Sequence, residues 1–169
     1  MTFSIDVHHH ILEDFFFRET NDAHNPVGGI APPPWDTAFM LSFMSEAGID
    51  VAITSISTPG CTSGTTRARS LARRCNELSA ELIQAHPSRL GGFAALPLPD
   101  VDGALAELAY ALDALKLDGV VLFSNSNRVY LGDARLEPVF AELEQRGALV
   151  FVHPTASPDP SAHHLGRIR

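Results

Sequence analysis

The chain alternates between short continuous apolar runs and longer stretches in which apolar residues return every three or four positions. "VAITSIS", "RLGGFAALPL", "DGVVLFSN" and "ALVFVHPT" are runs of the first kind, as expected of strands buried on both faces. "IDVHHHIL", near the amino terminus, reads as a further strand that ends in histidines. Between these runs the period lengthens. "WDTAFMLSFMSEAGID" carries Phe39, Met40, Phe43, Met44 and Ala47 at helical spacing and closes at Gly48, which predicts an amphipathic helix. "TTRARSLARRCNELSAELIQAHP" predicts a long helix with Leu71, Cys75, Leu78, Leu82 and Ile83 on its inner stripe, stopped before Pro87. "DVDGALAELAYALDAL", with Asp100 as N-cap, and "RLEPVFAELEQRG" supply two more. Residues from about Glu13 to Pro34, rich in Asn, Gly and Pro, read as a long loop, and loops of that length inside a compact domain usually serve function or lack order.

Five strands alternating with four helices imply an α/β fold with a parallel sheet covered by helices. An open doubly wound sheet and a (β/α)₈ barrel share this pattern, and no G-x-G-x-x-G follows the first strand to mark a dinucleotide site. Polar residues gather at the strands' carboxyl ends: His8 and His10, Ser55 and Ser57, Ser124 and Asn125, and His153. That is where both architectures bind ligands, so the pattern favours a ligand site without choosing between them.

The histidines carry the candidate chemistry. In an extended strand Asp6, His8 and His10 share one face, while Ile5, Val7, His9 and Ile11 share the other. Two imidazoles one residue apart can reach a single divalent ion, and an incidental surface cluster is the competing reading. A histidine before proline at the end of a buried strand, as His153 is, is more often a hydrogen-bonded core residue. Set beside the strand-one pair, it would complete a three-imidazole arrangement with an open position for water or substrate.

Composition narrows the partners. The 169 residues are 45% hydrophobic, enough for one compact domain with a real core, and the net charge is −8. With no basic run beyond Arg73-Arg74, nucleic acid is an unsuitable partner. No apolar stretch approaches the roughly 20 residues needed to span a bilayer, so no membrane partner is expected. Two cysteines cannot make a disulfide framework, and the amino terminus lacks a secretory signal, which points to a cytoplasmic protein.

"IDVHHHIL", "PPPWD", "SFMSEAGID", "SISTPG", "GGFAALPLPD", "DGVVLFSN" and "YLGDARLEPVFAELEQRGALVFVHPT" together resemble the amidohydrolase superfamily. The resemblance is to its amidohydrolase-related branch, which contains aminocarboxymuconate-semialdehyde decarboxylase and the resorcylate and methylsalicylate decarboxylases. It implies a partial (β/α)₈ TIM barrel, strands one to five, with residues 1–169 as a single incomplete domain. It also implies that His8, His10 and His153 bind a catalytic divalent metal, zinc first and manganese second. The implied parent activity is non-oxidative decarboxylation of a small aromatic or enoic carboxylic acid. Metal-dependent hydrolysis of an ester, lactone or amide uses the same ligands and is the alternative. The family's catalytic histidine on strand six and metal-binding aspartate on strand eight have no counterpart before Arg169. His163, His164 and Asp159 follow strand five too closely to replace them, so the catalytic residues stay unassigned. The chain is therefore expected to be a truncated or amino-terminal piece with little activity of its own. A non-catalytic remnant or binding module is the remaining reading, because open sheet edges invite pairing with another chain, including a second copy. Arg18, His24 and Trp35, in or beside the long first loop, and Asn125, at the end of strand four, are the candidate substrate-binding residues. Cys61 reads as a small buried thiol.

Overall fold

The computed structural model describes residues 3–20, 33–62 and 65–157. Its main sheet has five parallel strands: β1 (Ile5–Ile11), β2 (Val51–Ile56), β3 (Leu90–Ala95), β4 (Gly119–Phe123) and β7 (Leu149–His153), in the order β1-β2-β3-β4-β7. Every connection is a helical crossover, as parallel pairing requires. The helices are α1 (Asp14–Thr20) and α2 (Thr37–Glu46) between β1 and β2, and α3 (Thr65–Ala85) between β2 and β3. They continue with α4 (Val101–Ala109), whose last turn widens into a π-helical segment at Tyr110–Ala114, and with α5 (Glu137–Arg146). A two-stranded antiparallel hairpin, β5 (Asn125–Ser126) with β6 (Val129–Tyr130), leaves the end of β4.

The sheet curls. Laid flat, four strand spacings of about 4.8 Å would hold β1 and β7 about 19 Å apart. Instead the ring of His8 on β1 lies 5.1 Å from that of Phe151 and 4.9 Å from that of His153, both on β7. The five strands form a half-barrel with helices on its outer face, the partial TIM barrel that the resemblance implies.

Local sequence explains most of the helix ends. Asp36 accepts the Phe39 amide at 2.7 Å and starts α2, and Asp100 caps α4 through the Gly103 amide. Gly147, at φ 59°, ends α5 in the left-handed conformation that glycine adopts without steric cost. Outside the sheet, Leu108 and Ala111 of the α4 region and Val139 and Leu143 of α5 pack on Val120 and Leu122 of β4. Helix α3 lies close on β3, where a methyl group at Gly92 would collide with the Ser79 hydroxyl. Its Leu71 and Cys75 are buried as expected, while Leu78, Leu82 and Ile83 are half-buried.

Three expectations change. The start of the supposed long loop is helical, because Phe15, Phe16 and Phe17 are buried as α1 against α3, with Arg74 stacked on the Phe15 ring. Residues 21–32 of that loop, His24 included, lie outside the described residues. On α2 only Met40 and Met44 are buried; Phe39 and Phe43 are exposed, since α2 flanks β1, an edge strand. The hairpin after β4 is too short for a periodicity to reveal.

Buried polar groups tie α3 and α4 to β3. Asn76 donates to the Ala95 carbonyl at 3.0 Å and accepts the Ala95 amide at 2.7 Å, and its second donor reaches Glu107 at 2.8 Å. Glu107 also receives Arg73, whose guanidinium stacks on the Tyr110 ring. Replacing Asn76 with Ala strands both polar groups of Ala95 in a buried setting, at about 1–3 kcal/mol for each unsatisfied group. Asn76→Ala is therefore expected to lose about 2–4 kcal/mol in urea denaturation. A loss under about 1 kcal/mol would mean that water reaches these groups.

Candidate metal centre

Strand β1 ends beside β2 with His10 paired to Ser55, and β4 ends beside β7 with Phe123 paired to His153. These two registers place the histidines of the first and last strands at one end of the half-barrel. His10 Nε2 lies 3.1 Å from His8 Nε2 and 3.2 Å from His153 Nε2. The three potential ligand atoms all lie within 4.8 Å of one another. Among the described residues no carboxylate or thiol joins them.

Hydrogen bonds orient the rings. His153 Nδ1 lies 2.6 Å from the Pro154 carbonyl, which can only accept, so the neutral ring carries its proton on Nδ1 and directs a lone pair from Nε2. His10 Nδ1 faces the Ser55 hydroxyl at 3.4 Å. His10 Nε2 carries at most one proton, so it can make a well-formed hydrogen bond to only one of its two neighbouring nitrogens. A shared cation relieves that shortfall. The observed 3.1 and 3.2 Å separations are close to the roughly 3.3 Å edge of a tetrahedron with metal–nitrogen bonds near 2.05 Å.

Burial also favours the neutral form of His10 and His153, the form that ligates. His10 is lowered to about 4, first by burial and then by the neighbouring His153 and His8. His153 is lowered too, again first by burial, against the opposing pull of its Pro154 hydrogen bond.

Strand β1 departs from strict alternation. Asp6 pairs with Ala52 and His9 with Thr54, so Val7 and His8 together stand opposite Ile53. This β-bulge turns Asp6 to the outer face, where its carboxylate meets His9 Nδ1 at 2.9 Å, instead of to the face of His8 and His10. His9 is directed away from the cluster, as alternation predicts, with its ring 6.3 Å from that of Phe43.

The sequence of residues 5–167 matches the family described as Amidohydrolase. The chain belongs to the amidohydrolase family. Among its relatives, the 6-methylsalicylic acid decarboxylase of Penicillium expansum is 36% identical over 156 residues, covering 89% of this chain and 48% of its own length. The gamma-resorcylate decarboxylase of Rhodococcus jostii (strain RHA1) is 34% identical over 125 residues, or 68% of this chain and 38% of its own. A dihydroxybenzoic acid decarboxylase from Polaromonas sp. JS666, solved with bound manganese and the inhibitor 2-nitroresorcinol, superposes with TM-score 0.73 at 26% identity. The match covers 96% of this chain and 52% of that one. A crystal structure of an amidohydrolase II aligns more tightly, with TM-score 0.86 and 31% identity over 92% of this chain and 52% of that one. This amidohydrolase chain thus spans about half the length, or less, of the relatives it matches.

The structure distributes the remaining candidates unevenly. Asn125 lies at the histidine end of the sheet, buried, with its amide donating to the Ala156 carbonyl at 3.0 Å. Trp35 packs with Met40 and Met44 on the helix side of β2, and Arg18 is exposed on α1. Neither hydrogen-bonds or stacks with the three histidines. His163, His164 and Asp159 lie outside the described residues. Ser55, noted in the sequence only as a polar strand end, proves to be the neighbour of His10 Nδ1.

His10 generates a pH prediction for the metal-free protein. Its imidazole takes up a proton near pH 6.5 in the unfolded chain and near pH 4 in the folded one. The unfolded state therefore binds more protons between these values. The stabilisation is complete above pH 6.5 and is lost as the pH falls toward 4, on the order of 3 kcal/mol in total. Urea midpoints measured in chelator should drop over that interval, and His10→Gln should flatten the drop. An equally steep profile in His10→Gln would assign the effect to other groups.

Proposed function

We propose that His8, His10 and His153 hold the divalent metal of a non-oxidative decarboxylase acting on a small aromatic carboxylic acid of the salicylate or resorcylate kind. The observation that carries this reading is the convergence of three Nε2 atoms from the first and last strands on one point. The choice of reaction rests on the relatives, which include decarboxylases named for 6-methylsalicylic acid and gamma-resorcylate. Neutral imidazoles suit zinc, and the Polaromonas relative binds manganese, so these are the two ions to test. When bound, such an ion supplies Lewis acidity and a template for the substrate's carboxylate and adjacent oxygen.

The chain's own residues prepare that role. Pro154 fixes the His153 tautomer, Ser55 faces the far side of His10, and burial keeps His10 unprotonated. Asn125, at the same end of the sheet, is our candidate for contacting substrate, with Arg18 and Trp35 as more remote candidates. The proton that replaces CO₂ on the ring carbon needs a donor within about 3 Å or one water away. Among the described residues no carboxylate, thiol or further histidine joins the cluster. No described helix is long and apolar enough to cross a membrane. Both cysteines are free and buried, which agrees with a reducing cytoplasmic setting.

Metal analysis tests the core of the proposal. The purified chain should take up one zinc or manganese ion, and His10→Ala should weaken that uptake by roughly 100-fold or more, beyond the usual 10–100-fold cost of losing a ligand's hydrogen-bond partner. Unchanged metal content in His10→Ala would place the ion elsewhere. In a version extended with the family's remaining strands, CO₂ release from 6-methylsalicylate or 2,6-dihydroxybenzoate, set against ester, lactone and amide cleavage, separates decarboxylation from hydrolysis. Hydrolysis without CO₂ release would overturn the reaction assigned here.

A further inference from the structure

The run His8-His9-His10 leaves its middle member without a part in the metal cluster, and the bulge in β1 shows what it does. Asp6 and His9 are three residues apart, a spacing that a regular strand would send to opposite faces. They share the outer face because they pair with Ala52 and Thr54, which are two residues apart on β2. The extra residue falls at Val7 and His8, and a bulge disrupts the ladder bonds of the residues in it. Asp6 supplies what is lost: one carboxylate oxygen accepts the His8 amide at 2.9 Å, and the other accepts His9 Nδ1–H at 2.9 Å. The carboxylate spans the bulge from inside the same strand.

His8 is the ligand most in need of such support. His10 sits in a regular register pair with Ser55, and His153 is buried and paired with Phe123. His8 is exposed and sits within the bulge, so its Cα–Cβ direction is set by the local backbone that Asp6 clamps. His9, mostly covered and beside Phe43, anchors the carboxylate from the outer face.

We infer that Asp6 is a positioning residue that aims His8 into the metal cluster by holding the β1 bulge, with His9 as its anchor. This inference rests on the metal-centre reading above. It also predicts which substitutions are tolerated. Asn at position 6 keeps an oxygen for the His8 amide and turns an NH₂ group to His9, whose neutral ring can accept it, so Asp6→Asn should preserve the clamp where Asp6→Ala destroys it.

Cobalt(II) titration of the full chain is the test, followed by visible ligand-field absorption and paired with urea midpoints on the same metal-free samples. Asp6→Ala should lower cobalt affinity by about 10- to 100-fold, the range for losing a partner that orients a ligand, and should weaken or shift the absorption bands. Asp6→Asn should recover most of both. His9→Leu, which leaves the Asp6 bond to the His8 amide in place, should lower affinity only a few-fold and carries the test if Asp6→Ala does not fold. A purely structural role would lower the urea midpoint while leaving the affinity and spectrum of the folded protein unchanged, and that result overturns the inference. Cobalt affinity in Asp6→Asn as low as in Asp6→Ala would also overturn it. The two readings fail differently. A parent chain that binds no cobalt, or that binds it equally well as His10→Ala, overturns the metal centre itself, whereas normal His10-dependent binding with unaffected Asp6 and His9 variants overturns only the positioning role.

Discussion

The approach of His153 Nε2 to within 3.2 Å of His10 Nε2 spans 143 residues of chain, and the parallel ladder makes it possible. Each pairing step fixes a neighbour in register: Ser55 beside His10, Phe93 beside Gly119, His153 beside Phe123. A one-residue slip at any of these pairs would carry a histidine to the opposite face. Twist and curl then bring the two outer strands toward each other at the end where the histidines sit. The cluster is a consequence of sheet register combined with curvature, and neither alone would produce it.

Packing outside the sheet protects that register. The α4 and α5 side chains bury Val120 and Leu122, and the Asn76–Glu107 network ties α3 and α4 to the β3 backbone at Ala95. Ala95 pairs with Val121, and Val121 with Phe151, two residues before His153. The Phe93 and Phe151 rings stack nearly parallel at 5.7 Å on the concave side. A chain of buried contacts thus runs from the outer helices to the strand that delivers the third imidazole. The same burial lowers the proton affinity of His10 and His153, so the forces that hold the sheet also keep these two nitrogens available to a cation.

The edges tell a complementary story. Exposed Ile5 and Val7 lie on β1, exposed Leu149, Val150 and Val152 on β7, and exposed Phe39 and Phe43 on α2 beside β1. Apolar residues of this size gather on the two open sides of the half-barrel. The three clustered histidines thus come from a sheet whose outermost strands are also its least covered.

Much of this was legible in the residues themselves. Continuous apolar runs alternating with helical periods determined the five parallel strands and four of the helices, because burial on both faces and burial on one stripe leave different signatures. The spacing of His8 and His10 and the His-Pro at the end of the last strand named the candidate ligands. Other features were decided only by tertiary structure. Three consecutive phenylalanines carry no periodicity, so α1 became a helix only once α3 was there to bury them. Met40 was separated from Phe39 by which side of α2 met the sheet. Asp6 changed faces because a bulge, set by pairing with β2, overrode the alternation that the strand alone would follow. The meeting of His153 with the first strand depended likewise on curvature, since side-chain spacing encodes the faces of each strand but not the distance between strands that never pair.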